Sequence, residues 1–310
     1  MTQPLISAIV CTHNRAAYLG AAIDSLLGQD YPAYEILVVD NASTDGTREV
    51  VAARLPHPQL TYVFEGTLGL SAARNRGAAM ARGEILAYLD DDAEASPHWL
   101  AALAVAFGDC PGAAIAGGPV SLIWPADTTP PRWLSATLAE SLGAYDLGPH
   151  LHSIAHAGQT PRGLNYAVSK RFLDSVGGFD PQLGRVGKNL LSNEELHLTQ
   201  QALEAGRAVL FVPEARVAHH VASERLHRGW FLRRSWWQGI SECYREYLTH
   251  TLTVNRLRGR GLCVLRGLGK ALRHWPDPAL RFENLVYAYG QLGYLFSGLR
   301  HLWPKPRACP

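Results

Sequence analysis

Short apolar runs alternate with amphipathic stretches through the first 120 residues. Leu5–Val10 is an apolar run of strand length, bounded by Pro4 and a polar turn, and predicts a buried strand. After it, Leu19, Ile23, Leu26 and Leu27 fall on one face of a helix, with Asn14 as its expected N-cap. Glu35–Val39 is the second strand. Ser43 or Thr44 is expected to cap the next helix, which should run to about Arg54. Leu60–Phe64 predicts a third strand and Ser71–Ala81 a third helix, broken at Gly83. Ile85–Leu89 is the fourth strand. Pro97–Phe107 reads as a helix with proline in its first turn, and Ala113–Val120 as a fifth strand.

Repeated strand–helix alternation implies an α/β fold with a mainly parallel, Rossmann-like sheet covered on both faces. Ligands of such sheets sit at the carboxyl ends of the strands. Thr12 and Asn14, then Asp40, then Asp90, Asp91 and Asp92 each follow a strand directly, so all gather on one edge. The Asp triplet is the oddest of these clusters. Three adjacent carboxylates repel one another, and burying one unpaired costs several kcal/mol. A divalent cation such as Mg²⁺ or Mn²⁺ removes that cost and can share the oxygens with a diphosphate. The plainer alternative is a solvated acidic turn.

Beyond the fifth strand the pattern weakens. Ser121 to Pro161 is rich in Pro, Gly, His and Trp without a sustained period, and reads as a long irregular region. Gly163–Ser169 predicts a strand, and Lys170–Val176 a short helix ended by Gly177 and Gly178. Ser192-Asn193-Glu194-Glu195 opens a helix that carries Leu196 and Leu203 and closes at Gly206. Ala208–Val212 and Arg216–Val221 are short strands, and a helix follows from about Ser223 to Leu248. The expected division is a domain over 1–222, with a donor half at 1–120 and an acceptor half at 121–222, and a basic, aromatic helical extension over 223–310.

Composition adds two things. Five widely spaced cysteines with no CxxC pair point away from a zinc site or disulfide framework, and toward a reducing compartment. With no basic segment leading into a long apolar run at the N-terminus, the expected location is cytoplasmic. Charge is unevenly spread. From Val221 onward there are 15 Lys and Arg against 5 Asp and Glu, whereas residues 1–220 hold 14 against 22. A basic tail after an acidic body points to phosphates, acidic lipids or nucleic acid as partners.

The ordered strings Val10-Cys11-Thr12-His13-Asn14-Arg15, Val38–Thr47, Gly69–Gly77 and Leu89-Asp90-Asp91-Asp92 resemble the family 2 glycosyltransferases. Gly177-Gly178-Phe179-Asp180, Asn193-Glu194-Glu195 and Val217-Ala218-His219 extend the resemblance, which covers roughly residues 5–240. It implies the GT-A fold and an inverting transfer of a sugar from a nucleotide-diphosphate donor, UDP above all, to an acceptor hydroxyl. Thr12, Asn14 and Asp40 would hold base and ribose. Arg74 would face the base or the diphosphate. Asp90 and Asp91 would lie toward the ribose, with Asp92 on the metal, Mn²⁺ or Mg²⁺. Metal chemistry of this kind neutralises the departing nucleoside diphosphate. The family's usual Glu-Asp pair is Glu194-Glu195 here, so Glu195 aligns with the base and Glu194 is the alternative. Ser192-x-x-Glu195 is also a capping box, which competes for the same side chain. The resemblance places a histidine on the metal at His219, though His220 next door could be the one facing in. Trp99 and the Trp124–Trp133 stretch could stack on sugar rings or pack in the core.

Two other classes compete. A sugar-phosphate nucleotidyltransferase would need a Gly-rich loop after the first strand, and Cys11-Thr12-His13-Asn14-Arg15 has no glycine. A non-catalytic nucleotide- or carbohydrate-binding protein of the same fold would have no use for intact Asp90–Asp92 and Glu194–Glu195. A dinucleotide-binding oxidoreductase is excluded by the missing GxGxxG. The acceptor is expected to be a saccharide or lipid-linked saccharide in cell-surface polysaccharide or glycolipid assembly, with no nucleic acid partner. Trp230, Arg233, Arg234 and Trp237 cluster at helical spacing, and suggest peripheral contact with the inner face of a membrane. Asn284–Leu299 holds sixteen uncharged residues broken by Gly290, Gly293 and Gly298, short of the ~20 a span needs.

Overall fold

A computed structural model describes residues 3–187 and 189–302. The chain forms two compact units. The first takes the chain up to Ile123, then Gly143–Gly187 and Glu194–His220; the second takes Trp124–Leu142, the short stretch before Glu194, and everything from Val221.

The first unit is the α/β body. Its strands are β1 Ile6–Thr12, β2 Tyr34–Asp40, β3 Leu60–Phe64, β4 Ile85–Asp90, β5 Ala93–Ala95, β6 Ala113–Gly117, β7 Val120–Ile123, β8 His152–Ser153, β9 Asn165–Ser169, β10 Ala208–Phe211 and β11 Val217–His220. Its helices are α1 Ala16–Leu27, α2 Thr47–Ala52, α3 Leu70–Met80, α4 Trp99–Asp109, α6 Lys170–Ser175 and α7 Glu194–Glu204. Eight strands form one sheet in the order β3-β2-β1-β4-β9-β6-β10-β8, and β5-β11-β7 form a second. The expected parallel pairing runs from β3 to β4. β9 then enters antiparallel to both β4 and β6, so the whole sheet is mixed.

The apolar runs are buried as their pattern requires. Every residue of β2 is buried, and α1 turns Leu19, Ala22, Ile23 and Leu26 inward. Each leucine, isoleucine or valine among them, removed from water, contributes about 1.5–3 kcal/mol. Trp99 is fully buried and donates its indole N–H to Asn165 Oδ1 at 2.8 Å, so it is a core residue and not a sugar platform. Asn165 in turn donates to the Ala215 carbonyl at 2.8 Å, satisfying a buried amide between two sheets.

Several local expectations fail for identifiable reasons. The run Ala113–Val120 is two strands, because Pro119 has no N–H to donate and β7 leaves for the second sheet. Asn14 does not cap α1: it adopts φ 54°, and its Oδ1 accepts the Thr44 N–H at 2.7 Å instead. Neither Ser43 nor Thr44 caps α2. Asp45 binds the Thr47 amide at 3.1 Å from just outside that helix. Nor does a capping box open α7, since the Ser192 amide donates to Ser241 Oγ at 3.1 Å. The irregular region contains β8 and, in the second unit, the short helix α5 Ala136–Glu140, whose first turn is capped by Ser135 Oγ.

The second unit is helical, with α8 Arg228–Leu248, α9 Val254–Arg273 and α10 Pro278–Leu302. Residues 303–310 of the expected extension, Cys309 among them, lie outside the described residues. Trp133 packs edge-on against Phe231 and Phe282, at 5.3 and 5.1 Å between ring centroids. It is therefore part of this unit's packing. The glycines that interrupt Asn284–Leu299 allow α8 and α10 to touch backbone to backbone. A Cβ on Gly239 would lie 1.9 Å from the Gly290 carbonyl oxygen, and one on Gly293 would lie 2.2 Å from that of Trp236. Gly239→Ala is accordingly expected to destabilise this unit by ~1–3 kcal/mol or more, read as a lower urea midpoint. An unchanged midpoint would mean that the two helices do not need this contact.

Candidate active site

Register brings the polar strand ends together. In the parallel pairing Thr12 sits opposite Asp40, and Cys11 opposite Asp90. All three loops therefore leave the sheet at one level. The loop after β1 is fastened to the loop after β2: His13 Nδ1 lies 2.7 Å from the Asn41 carbonyl, the Asn14 amide donates to Ser43 Oγ at 3.0 Å, and Ala16 N–H donates to Asp45 at 3.1 Å. Asp40 is buried and fully engaged, accepting the Ser43 N–H at 2.8 Å and the Tyr62 hydroxyl at 2.8 Å. Thr12 is buried beside it, and its carbonyl accepts the Asn41 N–H at 2.8 Å.

The Asp triplet is not a solvated turn. Asp91 and Asp92 are buried and Asp90 is half-buried. Burial, together with the neighbouring charge of Asp92, pushes the Asp91 carboxyl up to about 7, against the pull of Arg15. Arg15 stands on both carboxylates, with Nε 3.5 Å from Asp91 Oδ1 and Nη2 bonded to Asp92 Oδ2. Although burial works against its charge, Asp92, Asp91 and Asp90 hold this guanidinium firmly protonated. From the other side comes β11. His219 is buried with Nε2 3.2 Å from Asp92 Oδ1, and the His220 backbone N–H donates to the Asp92 carbonyl at 2.8 Å. His220 points elsewhere, to Glu94 at 2.5 Å. The two side chains alternate across the strand, and His219 is the one that meets Asp92.

A second charged cluster lies on the buried side of α3. Arg74 is only 3% exposed, which removes the possibility of an ordinary surface residue. Its Nη1 donates to Glu194 Oε1 at 2.8 Å, its Nη2 to the Gly163 carbonyl at 3.1 Å, and Asp90 Oδ1 lies 3.8 Å from Nη2. A Cβ at Gly163 would fall 2.6 Å from Arg74 Nη2, so any larger residue there would have to displace the guanidinium. Glu195 is half-buried, and its Oε2 is sealed from solvent with no hydrogen-bond partner among the described residues. Three carboxylates thus surround one guanidinium. Arg74 keeps its charge, and burial plus repulsion from Glu195 push Glu194 up to about 7.

This shift has a consequence for stability. Glu194 titrates near 4.5 when unfolded and about 7 when folded, so its favourable contribution is complete below pH 4.5 and lost as pH rises through about 7. Comparing wild type with Glu194→Gln, the difference in unfolding free energy is expected to shift against the wild type across that window. A difference that stays flat from pH 4.5 to 7 would mean that Glu194 is ionised throughout.

Sequence reasoning assigned no role to Arg15 or Asn41. Arg15 neutralises the Asp pair. Asn41 accepts the Gly69 amide at 2.8 Å and donates to the Glu65 and Thr67 carbonyls, which holds the loop leading into α3. An arginine following a strand end, in a body with surplus carboxylates, was the available signal for Arg15. Asn41 carried none beyond its place after Asp40.

Comparison with known proteins fits this arrangement. The family described as glycosyl transferase family 2 matches residues 7–158, which include both strand-end loops and the Asp triplet. The chain belongs to this family. As a family 2 glycosyltransferase it is similar to the glucosyl-dolichyl phosphate glucuronosyltransferase of Haloferax volcanii, 27% identical over 243 residues that span 76% of each chain. Its fold resembles that of the mannosyltransferase PcManGT from Pyrobaculum calidifontis, solved with GDP-Man and Mn²⁺. The TM-score is 0.63 and the identity 22%, over 99% of this chain and 89% of that one. GalNAc-T7, solved with UDP, GalNAc and Mn²⁺, gives a TM-score of 0.57 at 17% identity over 79% of this chain and 50% of that one. The GT-A architecture that the family resemblance implies is therefore the fold of this glycosyltransferase.

Proposed function

We propose that this glycosyltransferase moves a single sugar, with inversion, from a nucleoside-diphosphate donor to an acceptor hydroxyl, with a divalent cation at Asp92 and His219. The observation that carries the catalytic half is the contrast between the two glutamates. Glu194 Oε1 is tied to Arg74 and no ion pair holds Glu195, although each glutamate keeps a buried Oε2 without a hydrogen-bond partner among the described residues. An unengaged carboxylate is what an acceptor hydroxyl needs to give up its proton, so Glu195 is the general base and Glu194 positions Arg74.

The donor half rests on the strand-end edge. Asp40, Thr12 and Asn14 frame the seat of base and ribose, Asp90 and Asp91 lie toward the ribose, and Arg74 faces the diphosphate. UDP is the nucleotide expected first. Among the described residues no group of three or more His, Cys, Asp or Glu side chains could hold a metal alone. The donor set nonetheless suits one: carboxylate oxygens and an imidazole nitrogen are ligands for Mn²⁺ or Mg²⁺, which complete their shells with substrate phosphates and water. Asp92 and His219 are the two protein ligands in this reading, and Arg15 must share Asp92 with the ion. When bound, the cation neutralises the departing nucleoside diphosphate.

Similarity to an enzyme named for a dolichyl phosphate substrate supports a lipid-linked saccharide as acceptor. The enzyme would then work beside the cytoplasmic face of a membrane. Among the described residues no helix is long and apolar enough to cross one, so contact would be peripheral. Inversion is tested by following donor hydrolysis by proton NMR. The first sugar released is expected to have the anomeric configuration opposite to the donor's; retention at early times would remove Glu195 from the role of base.

A further inference from the structure

The strongest unexplained surface belongs to α9. Of its residues, Gly267 and Ala271 are buried, with Leu257 and Val264 half-buried on the same side. At 100° per residue Val254, Leu262, Leu265 and Leu272 fall on an arc turned away from that side, with Leu268 at its edge. These apolar side chains face outward: Leu262 is 60% exposed, Leu265 66% and Leu272 69%, and Trp275 just past the helix is 64% exposed. An exposed leucine seam of this kind has no role in the folding of an isolated helical unit. It is instead a contact surface.

Charge identifies the partner. Between Val254 and Trp275 there are six Lys and Arg and no Asp or Glu. Arg256 and Arg260 turn toward Glu246 and Glu242 within the same unit. Arg258, Arg266, Lys270 and Arg273 are exposed, and lie within or beside the leucine arc. Pairing with a second copy of this face would set like charges against each other, with no acidic positions to relieve them. A leucine seam bordered by long basic side chains fits an anionic bilayer, where the leucines enter the acyl boundary and the cations meet lipid phosphates.

The aromatic–basic stretch of α8 is the weaker candidate. Of Trp230, Arg233, Arg234 and Trp237 only Arg233 is exposed, and Arg234 reaches Ser192 Oγ at 3.4 Å. We infer that the Leu262–Leu265–Leu272 face of α9, bordered by Arg258, Arg266, Lys270 and Arg273, is a peripheral docking surface for an anionic membrane. Its biological use rests on the membrane-linked acceptor proposed above, but its existence does not depend on the donor site.

The test is co-sedimentation of the full chain with vesicles of phosphatidylcholine, alone or with about a quarter phosphatidylglycerol. Wild type is expected to bind the anionic vesicles in a salt-sensitive manner, and the neutral ones at least about tenfold more weakly. The double variants Leu265→Glu/Leu272→Glu and Arg266→Glu/Lys270→Glu should each lose about tenfold or more in affinity while keeping wild-type circular dichroism. Absence of binding to anionic vesicles, equal binding to neutral ones, or wild-type binding by both variants would overturn the inference. So would a concentration-dependent dimer dissolved by Leu265→Glu, which would assign the face to a second copy. Thermal stabilisation by UDP, measured on the same variants, separates the two readings. Retained stabilisation without vesicle binding removes only the docking surface, and vesicle binding without any stabilisation removes only the donor site.

Discussion

Glu195→Gln should bind a nucleoside diphosphate as tightly as the wild type while its transfer rate falls by about 10²–10⁴-fold. The amide keeps the size of the carboxylate but cannot take a proton. No ion pair is lost, because the Arg74 guanidinium is bonded to Glu194. Folding should therefore be little changed. The neighbouring Glu194→Gln should behave differently, weakening the hold on Arg74 and reducing donor affinity along with rate. Steady-state kinetics distinguish the two: a fall in kcat alone marks Glu195 as the base, and a rise in KM marks a positioning role. Near-wild-type turnover by Glu195→Gln would transfer the basic role to another group.

Asp92→Asn is expected to have the other large effect, about a thousandfold in kcat/KM, equivalent to about 4 kcal/mol of lost transition-state stabilisation. Asp92 receives Arg15 on one oxygen and His219 at 3.2 Å on the other, so it links the β1 loop to β11. Removing its charge also leaves the Arg15 guanidinium with less to neutralise. Asp91→Asn should be milder, since Asp91 already carries a carboxyl pushed up to about 7 by burial and by Asp92. Equal losses in the two variants would mean that the triplet acts only through its summed charge.

The gathering of polar strand ends on one edge was legible in the sequence because parallel strands leave little freedom. Once β1, β2 and β4 are recognised as apolar runs, the residues that follow each run must lie on the same edge, and they do, with Thr12 opposite Asp40 and Cys11 opposite Asp90. The choice between His219 and His220 was not legible, because alternation fixes only that they face opposite ways. Pairing of β11 with β5 and β7 supplied the answer. Helix starts were misjudged at Asn14 and Ser43 for one common reason. Ser, Asn and Asp residues that could have capped a helix join two loops to each other instead, as the Asn14–Thr44 contact shows. Arg15 escaped notice because its partners lie 76 and 77 residues away, a separation at which sequence carries no distance. The glycines of α10 were read as interruptions of an apolar run. Their physical role, admitting the α8 backbone, requires knowing which helix lies alongside.

Calorimetric titration of the wild type with UDP and GDP, with and without Mn²⁺, tests the central claim most directly. The strand-end edge with its buried Asp pair predicts that a nucleoside diphosphate binds, that Mn²⁺ strengthens binding at least about tenfold, and that Asp92→Asn abolishes the strengthening. Failure of every nucleoside diphosphate to bind, with Mn²⁺ present or absent, would contradict the assignment of this edge as the donor site.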